Sequence, residues 1–324
     1  MAAAGGASLA IRWALKDGFG EIGKLIFIQN FSYSFDSHPK TWKIIGEISS
    51  VIGAGLQILT IFFPQYFLVL ASFGIALRGI HYSIWSATHI TFNNHSSVHG
   101  NNIGDLVSKD DAQLSLAHLV GLGIGVSILT VSHSPPLLVG VYSILSVCQL
   151  AMSYALVKAA NFEILNLPRM QLIAKMFVQE GEIYEYKQVA GKEHWIGEYA
   201  TEKLINLQIP SHFAEAKADP KLVDRLNVLY DENYLLAYDE KNDAFWMMLS
   251  TEGNGKDILK AVLHATKWKS EMSSNSIDDA FVKSFDWTKE IFPLYYGELA
   301  SLEWDMQSIV WSDKGLRISW KKHQ

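Results

Sequence analysis

Long runs of apolar residues occupy the first half of the chain, with no helical or strand alternation to give them a wet face. Four stretches stand out: residues 44–63, 66–92, 114–131 and 137–157. Each is close to the ~20 apolar residues that carry a helix across a bilayer. Only Pro64 and Gln65 separate the first two, and Ser132, His133, Ser134, Pro135 and Pro136 the last two. Short links with proline at a helix start predict antiparallel neighbours, so the pattern is a proline-turned helical hairpin used twice. Residues 9–35 are less uniform. Lys16, Asp17, Glu21 and Lys24 stand at spacings that allow pairing along a helix, ahead of an apolar and aromatic run. They predict a fifth, partly polar span, with an interfacial helix as the alternative.

The second half alternates differently. Residues 161–175 read as an amphipathic helix containing Pro168, and 200–207 as a further helix. Residues 234–238 and 244–249 flank a polar five-residue turn, a β-hairpin pattern. Residues 255–268 repeat apolar positions at the helical period, and 279–302 form a long aromatic-rich helix. Residues 309–311 and 316–320 flank Ser312-Asp313-Lys314-Gly315, which predicts a second hairpin. Trp304, Trp311 and Trp320 read as core or interface residues. The expected architecture is mainly α: a polytopic transmembrane bundle of four to five spans, then a small α+β domain. Its divisions are 1–160 (membrane domain), 161–229 (helical connector) and 230–324 (α+β domain).

Charge sharpens this division. Residues 41–160 hold eight charged side chains, namely Lys43, Glu47, Arg78, Asp105, Lys109, Asp110, Asp111 and Lys158. Lys40, Lys43, Lys109, Lys158, Arg169 and Lys175 fall on one side of the predicted topology, and neither proline turn carries a Lys or Arg. By the positive-inside rule the turns lie outside and the C-terminal half on the cytosolic or stromal side. The formal net charge of -6 lacks the basic excess that nucleic-acid binding requires. The one cysteine, Cys148, excludes a disulfide framework and a cysteine-based zinc site.

Within the apolar half, Arg78 falls near the middle of its span. An unpaired charge at that depth costs at least ~2.5 kcal/mol, so it is expected to face the bundle interior or water, with Asp105, Glu47 or Asp17 as partner. It reads either as a site for an anionic ligand or as a structural ion pair. His81, His89, His95, His99 and His118 carry no metal-binding frame, so no metal is assigned. Loop solvation and helix-end capping account for them. Gly121 and Gly125 form a small-xxx-small pair, expected to bring helices together, and Gly53 and Gly55 add small residues to the first span.

Two polar connections complete the candidates. One contains Phe35, Asp36, Pro39, Lys40, Trp42 and Lys43; the other runs from Asn102 to Gln113 through Asp105, Lys109, Asp110 and Asp111. Either Asp110 or Asp111 is placed to cap the third predicted helix. Together with Leu15-Lys16-Asp17-Gly18, these stretches resemble three motifs of the root UVB sensitive (RUS) family, in order, over residues 11–130. The C-terminal half resembles the family only loosely. The family domain starts upstream of the first motif, so the chain reads as N-terminally shortened, with any plastid transit peptide lost in the missing part.

The resemblance implies membrane or plastid association and roles in vitamin B6 homeostasis, UV-B-responsive seedling development and auxin transport. The C-terminal sequence supplies no nucleophile, glycine phosphate loop or carboxylate dyad, so no enzymatic activity and no cofactor are assigned. The reading that follows is a non-enzymatic scaffold, binding other RUS proteins at a membrane. Its alternative is a transporter-like binder of a small anionic metabolite through Arg78, with Asp36, Lys40, Asp105, Lys109 and Asp110 as further charged candidates.

Overall fold

The computed structural model describes residues 2–96, 102–131, 134–194, 196–198, 204–210, 219–311 and 317–320. The chain divides into two compact units, Met1–Ala160 and Asn161–Gln324.

The first unit is helical. It comprises α1 (Ala2–Phe31), α2 (Pro39–Leu59), α3 (Phe67–Ser96), α4 (Ile103–Val131) and α5 (Pro135–Ala159). Pro39 and Pro135 stand at the first helical positions, where a missing N–H leaves no bond unmade. α3 packs against α1 and α2, and α5 against α2. Three stretches are long and apolar enough to cross a membrane: Pro64–His95, Ile103–Val131 and Pro135–Ala159. α4 has no fully buried residue, and Leu116, Leu119, Leu122 and Val126 all stand more than 60% exposed. A surface that apolar is stable against hydrocarbon, not against water.

Two expectations for this unit change. The polar stretch at residues 102–113 is the first three turns of α4, not a loop. Asp105 sits in the first turn, where it favours the helix dipole, and accepts from Lys109 at 2.6 Å one turn on. Asp110 and Asp111 therefore lie well inside the helix and cap nothing. The helix-packing role expected of Gly121 and Gly125 falls elsewhere. A Cβ at either would meet nothing within 4 Å, and both line a 540 Å³ apolar groove with α2 and α5 residues. The close approach is between Gly53 of α2 and Gly74 of α3, where a Cβ on one would stand 2.8 Å from the backbone oxygen of the other.

The second unit is α+β. A parallel pair joins β1 (Ile164–Asn166) to β5 (Asp305–Val310). The hairpin of β3 (Tyr234–Asp239) and β4 (Ala244–Ser250) is as expected. The short strands β2 (Leu207–Gln208) and β6 (Arg317–Ile318) pair parallel to β4. No second hairpin forms among the described residues, because β5 turns to β1 and β6 to β4; residues 312–316 lie outside the described chain. Around the sheets lie α6 (Leu167–Glu180), α7 (Tyr186–Gly191), α8 (Leu222–Val228), α9 (Gly255–Glu271) and α10 (Ile277–Ser301).

Pro168 falls in the first turn of α6, because residues 164–166 extend as β1 before the helix begins. Leu204, Ile205 and Asn206 are not helical, and residues 200–203 of the helix expected there lie outside the described chain. Residues 161–229 share a core with the rest of the unit. Met170, Leu172 and Ile173 of α6 are fully buried in the cluster that holds Phe245 and Leu259. Two buried ion pairs pin its edges, Arg169–Glu193 at 2.6 Å and Arg225–Asp219. Trp304 is buried and donates its ring N–H to the Tyr184 carbonyl at 3.0 Å; Trp311 and Trp320 pack partly buried on the same core.

Candidate functional site

The corner between α1 and α2 is built from aromatic rings. Phe35 is buried and meets the Trp42 ring at 4.9 Å, and Phe27 meets it edge-on at 5.8 Å. This knot fixes the start of α2 and so the position of Lys43, on the next turn. Lys43 donates to Glu47 at 2.5 Å along the helix. Glu47 is buried, and its second oxygen accepts from Gln149 of α5 at 2.6 Å. The pairing meets the requirement that a carboxylate removed from water keep both charge and hydrogen-bond partners.

α3 and α4 supply the other wall. Asp110 lies 2.5 Å from Nε2 of His89, and the Trp85 ring stacks on the His89 ring at 4.5 Å. Lys43, Trp85, Thr88, His89, Asp110 and Leu156 are among the residues around one cleft of 230 Å³. Four helices contribute to it: the start of α2, the end of α3, the start of α4 and the end of α5. Its chemistry is one ammonium, one imidazole–carboxylate pair and an aromatic wall. That set can hold a small ring-bearing molecule and donate to an anionic group.

Of the residues singled out by sequence, Asp110 belongs to this cleft, and Lys43 of the same motifs faces it. Lys40 is buried one turn before, and Asp36 is exposed. Asp105 and Lys109 pair with each other on an exposed face of α4. Arg78 is exposed and reaches none of its expected acidic partners. Its stem runs along Gly53, and its guanidinium donates to Gln57 at 3.4 Å. Helical side chains point toward the N-terminus, which for α3 is the proline-turn end. Arg78 thus leans outward along the bundle instead of into it. Glu47 is held by Lys43 and Gln149, and Asp17 pairs with Lys16 at 3.0 Å.

His89 and Gln149 were not legible as site residues. Trp85 and His89 stand four apart, which places them on one helical face, but only the packing of α3 on α4 supplies Asp110. His81 is engaged by the Gly46 carbonyl at 3.1 Å. His99 lies outside the described chain.

Residues 2–181 match the vitamin B6 photo-protection and homoeostasis domain. The chain belongs to the root UVB sensitive family. It is similar to protein root UVB sensitive 6 of Arabidopsis thaliana, 27% identical over 80% of this chain and 51% of that protein. It is similar to protein root UVB sensitive 2, chloroplastic, of the same plant, 26% identical over 96% of this chain and 71% of that protein. RUS family member 1 of Dictyostelium discoideum is 25% identical over 58% of this chain and 36% of its own length. The chain thus spans about half the length of root UVB sensitive 6 and 58% of root UVB sensitive 5 of Arabidopsis thaliana. No solved structure matches. The RUS motifs that the sequence displays supply Lys43 and Asp110, and the fold brings both to the cleft.

Proposed function

We propose that this RUS-family chain is a membrane-embedded, non-enzymatic binding protein of vitamin B6 homeostasis, whose cleft takes a single-ring anionic metabolite. The supporting observation is the convergence of Lys43, His89 and Asp110 from three helices around 230 Å³ of space. An ammonium has three donors, so Lys43 can hold Glu47 and still donate to a ligand. A planar ring stacks on Trp85 or Phe92, and the volume suits one ring better than a drug-sized ligand. Vitamin B6 compounds answer to that description: a substituted pyridine, carrying a phosphate in its phosphorylated forms.

This reading moves the anion site from Arg78 to the end of the bundle that carries Lys40, Lys43, Lys109 and Lys158. It favours ligand capture over a pure scaffold, since a scaffold has no use for a polar cleft in an apolar bundle. α1 and α2 complete a five-helix membrane unit beside the three strongly apolar stretches. A plastid membrane is the proposed location, because a similar protein is named chloroplastic.

The test is a titration of the full chain in detergent with pyridoxal 5′-phosphate, followed by tryptophan fluorescence. Saturable quenching that Trp85→Phe diminishes is expected. His89→Ala should weaken binding about tenfold, the effect of one charge-assisted hydrogen bond. A flat titration of the folded protein overturns the assignment.

A further inference from the structure

The apolar groove beside α4 has a shape that selects its occupant. It measures 540 Å³ and takes one face from each of three helices. α5 gives the face from Leu138 through Tyr142 to Gln149, α2 that from Val51 to Ile58, and α4 that from Gly121 through Gly125 to Leu129. The floor is stitched across. The Tyr142 hydroxyl donates to the Val51 carbonyl at 2.7 Å, and Gln149 donates to Glu47 at 2.6 Å, which fixes the spacing of α2 and α5. α4 supplies the third wall. A Cβ at Gly121 or Gly125 would meet nothing within 4 Å, so the two glycines leave the groove wide on that side.

Along α5 the groove spans about 16 Å of helix axis, from Leu138 to Gln149. It occupies the half of the Pro135–Ala159 stretch next to the proline turn, and on α4 the half of Ile103–Val131 next to the same turn. One leaflet contributes about 15 Å of hydrocarbon, half of the bilayer core. Spread over its length, the volume leaves a channel about 6 Å across. A helix with its side chains is about 10 Å wide or more, so a helix of a second copy is too thick to enter. A hydrocarbon chain, whose carbons pack at about 4 Å, is not. The two ends differ. The inner end is polar, with Ser50, Ser146 and Gln149 in the lining and Glu47 next to Gln149. At the outer end the lining residue Ile61 is followed by Phe62, Phe63 and Tyr66, all exposed. Aromatic rings at the end of a span sit at headgroup level.

We propose that this groove holds one acyl chain of a bilayer lipid, drawn from the leaflet at the proline turns, with its headgroup beside Phe62, Phe63 and Tyr66 and its tip at Gln149. The assignment rests on the membrane placement of the helical unit and is independent of the ligand given to the cleft. An apolar groove does not hold water, and left empty it forfeits dispersion contacts along all three walls. Neither proline turn carries a Lys or Arg, so the turns offer no cation to a headgroup phosphate and the chain carries the recognition.

The test counts the lipid retained by the full chain, purified in dodecyl maltoside and titrated with dioleoylphosphatidylcholine, by native mass spectrometry. One lipid per chain is expected to bind saturably. Gly125→Leu places a side chain in the open space of the groove and is expected to raise the half-saturating lipid concentration about tenfold or more. Gly123→Leu makes the same change on the same helix, in open space outside the groove lining, and is expected to leave binding unchanged. Should Gly125→Leu misfold, the wild-type chain decides with a phosphatidylcholine bearing a mid-chain diazirine: adducts are expected at Ile124, Ile128 and Leu145, and not at Leu119 or Leu122 on the outward face of α4. Lipid uptake without saturation, equal loss in the two glycine variants, or adducts spread over both faces of α4 overturns the proposal. Loss of a dimer instead of a lipid in Gly125→Leu overturns it too, and makes the groove an interface between copies. A chain that stays monodisperse without detergent refutes the membrane placement itself; one that needs detergent and retains no lipid refutes the groove alone.

Discussion

Replacing glycine by alanine at four positions separates helix packing seen in the fold from helix packing suggested by sequence. Gly53 and Gly74 face each other across α2 and α3. A methyl at Gly53 would sit 2.8 Å from the Gly74 oxygen, 3.0 Å from Arg78 Cγ and 3.1 Å from Leu77 Cβ. At Gly74 it would sit 2.8 Å from the Gly53 oxygen and 2.9 Å from Gln57 Cγ. The nearest atom is backbone in both cases, so no side chain can rotate away and the helices must part. Overpacking of this kind costs about 1–3 kcal/mol, and the helix-forming advantage of alanine returns about 1. Gly53→Ala and Gly74→Ala should each destabilise the helical unit by up to about 2 kcal/mol, and the double variant by less than the sum, since one parting of the helices relieves both clashes. Gly121→Ala and Gly125→Ala meet open space and should be neutral or stabilise by up to about 1 kcal/mol. The assay is unfolding of the full chain in mixed micelles by increasing sodium dodecyl sulfate, followed by far-ultraviolet circular dichroism. Equal destabilisation at Gly121 and Gly53, or a reversed order, would refute the packing described above.

Three further outcomes are expected. Glu193→Gln should destabilise the C-terminal unit by about 3–5 kcal/mol in a denaturant titration, because it leaves the buried Arg169 guanidinium without its countercharge. Burial among Trp268, Phe281 and Phe285 pushes His264 down to about 3, with Lys260 and Arg225 adding to the effect. The unfolded chain then binds the extra proton, so stability is complete above about pH 6.5 and declines as pH falls toward 3; His264→Phe should flatten that decline in unfolding free energies measured from about pH 7 to 4. Arg78→Gln should change micelle stability by less than about 1 kcal/mol, since the lost contact is one long hydrogen bond at an exposed position; a loss of several kcal/mol would place Arg78 inside the bundle after all.

Local chemistry made parts of the fold legible. The hairpin around Asp239–Asp243 and the apolar period of α9 are written within a few residues, and α9 gains its capping box from Asn254 and Asp257, three positions apart in the chain. The parallel pairing of β1 with β5 was not legible, because Leu165 and Ile309 meet across most of the C-terminal unit. The opening of α4 misled for a different reason. Asp105, Lys109, Asp110 and Asp111 read as a polar loop until Asp105 and Lys109 are placed one turn apart. The glycine pairs show the limit most clearly. Gly121 and Gly125 have the better packing motif, while Gly53 and Gly74 have each other, and spacing along one helix says nothing about the neighbour.

The level of the cleft follows from the hairpins themselves. In antiparallel helices of equal rise, residues equidistant from a turn stand opposite one another. Lys43 and Trp85 are each 21 residues from Pro64. His89 and Asp110 are equidistant from the midpoint of positions 99 and 100, and Asp110 and Leu156 are each 23 residues from position 133. Three successive connections thus carry these five cleft residues to within about one helical turn of a common height, and the observed lining contains all of them. That height is within about two turns of the helix ends at Pro39, Ser96, Ile103 and Ala159, where a charge can reach water and its cost in hydrocarbon is least. The bundle can therefore keep Lys43, Glu47, His89 and Asp110 without deep burial of unpaired charge.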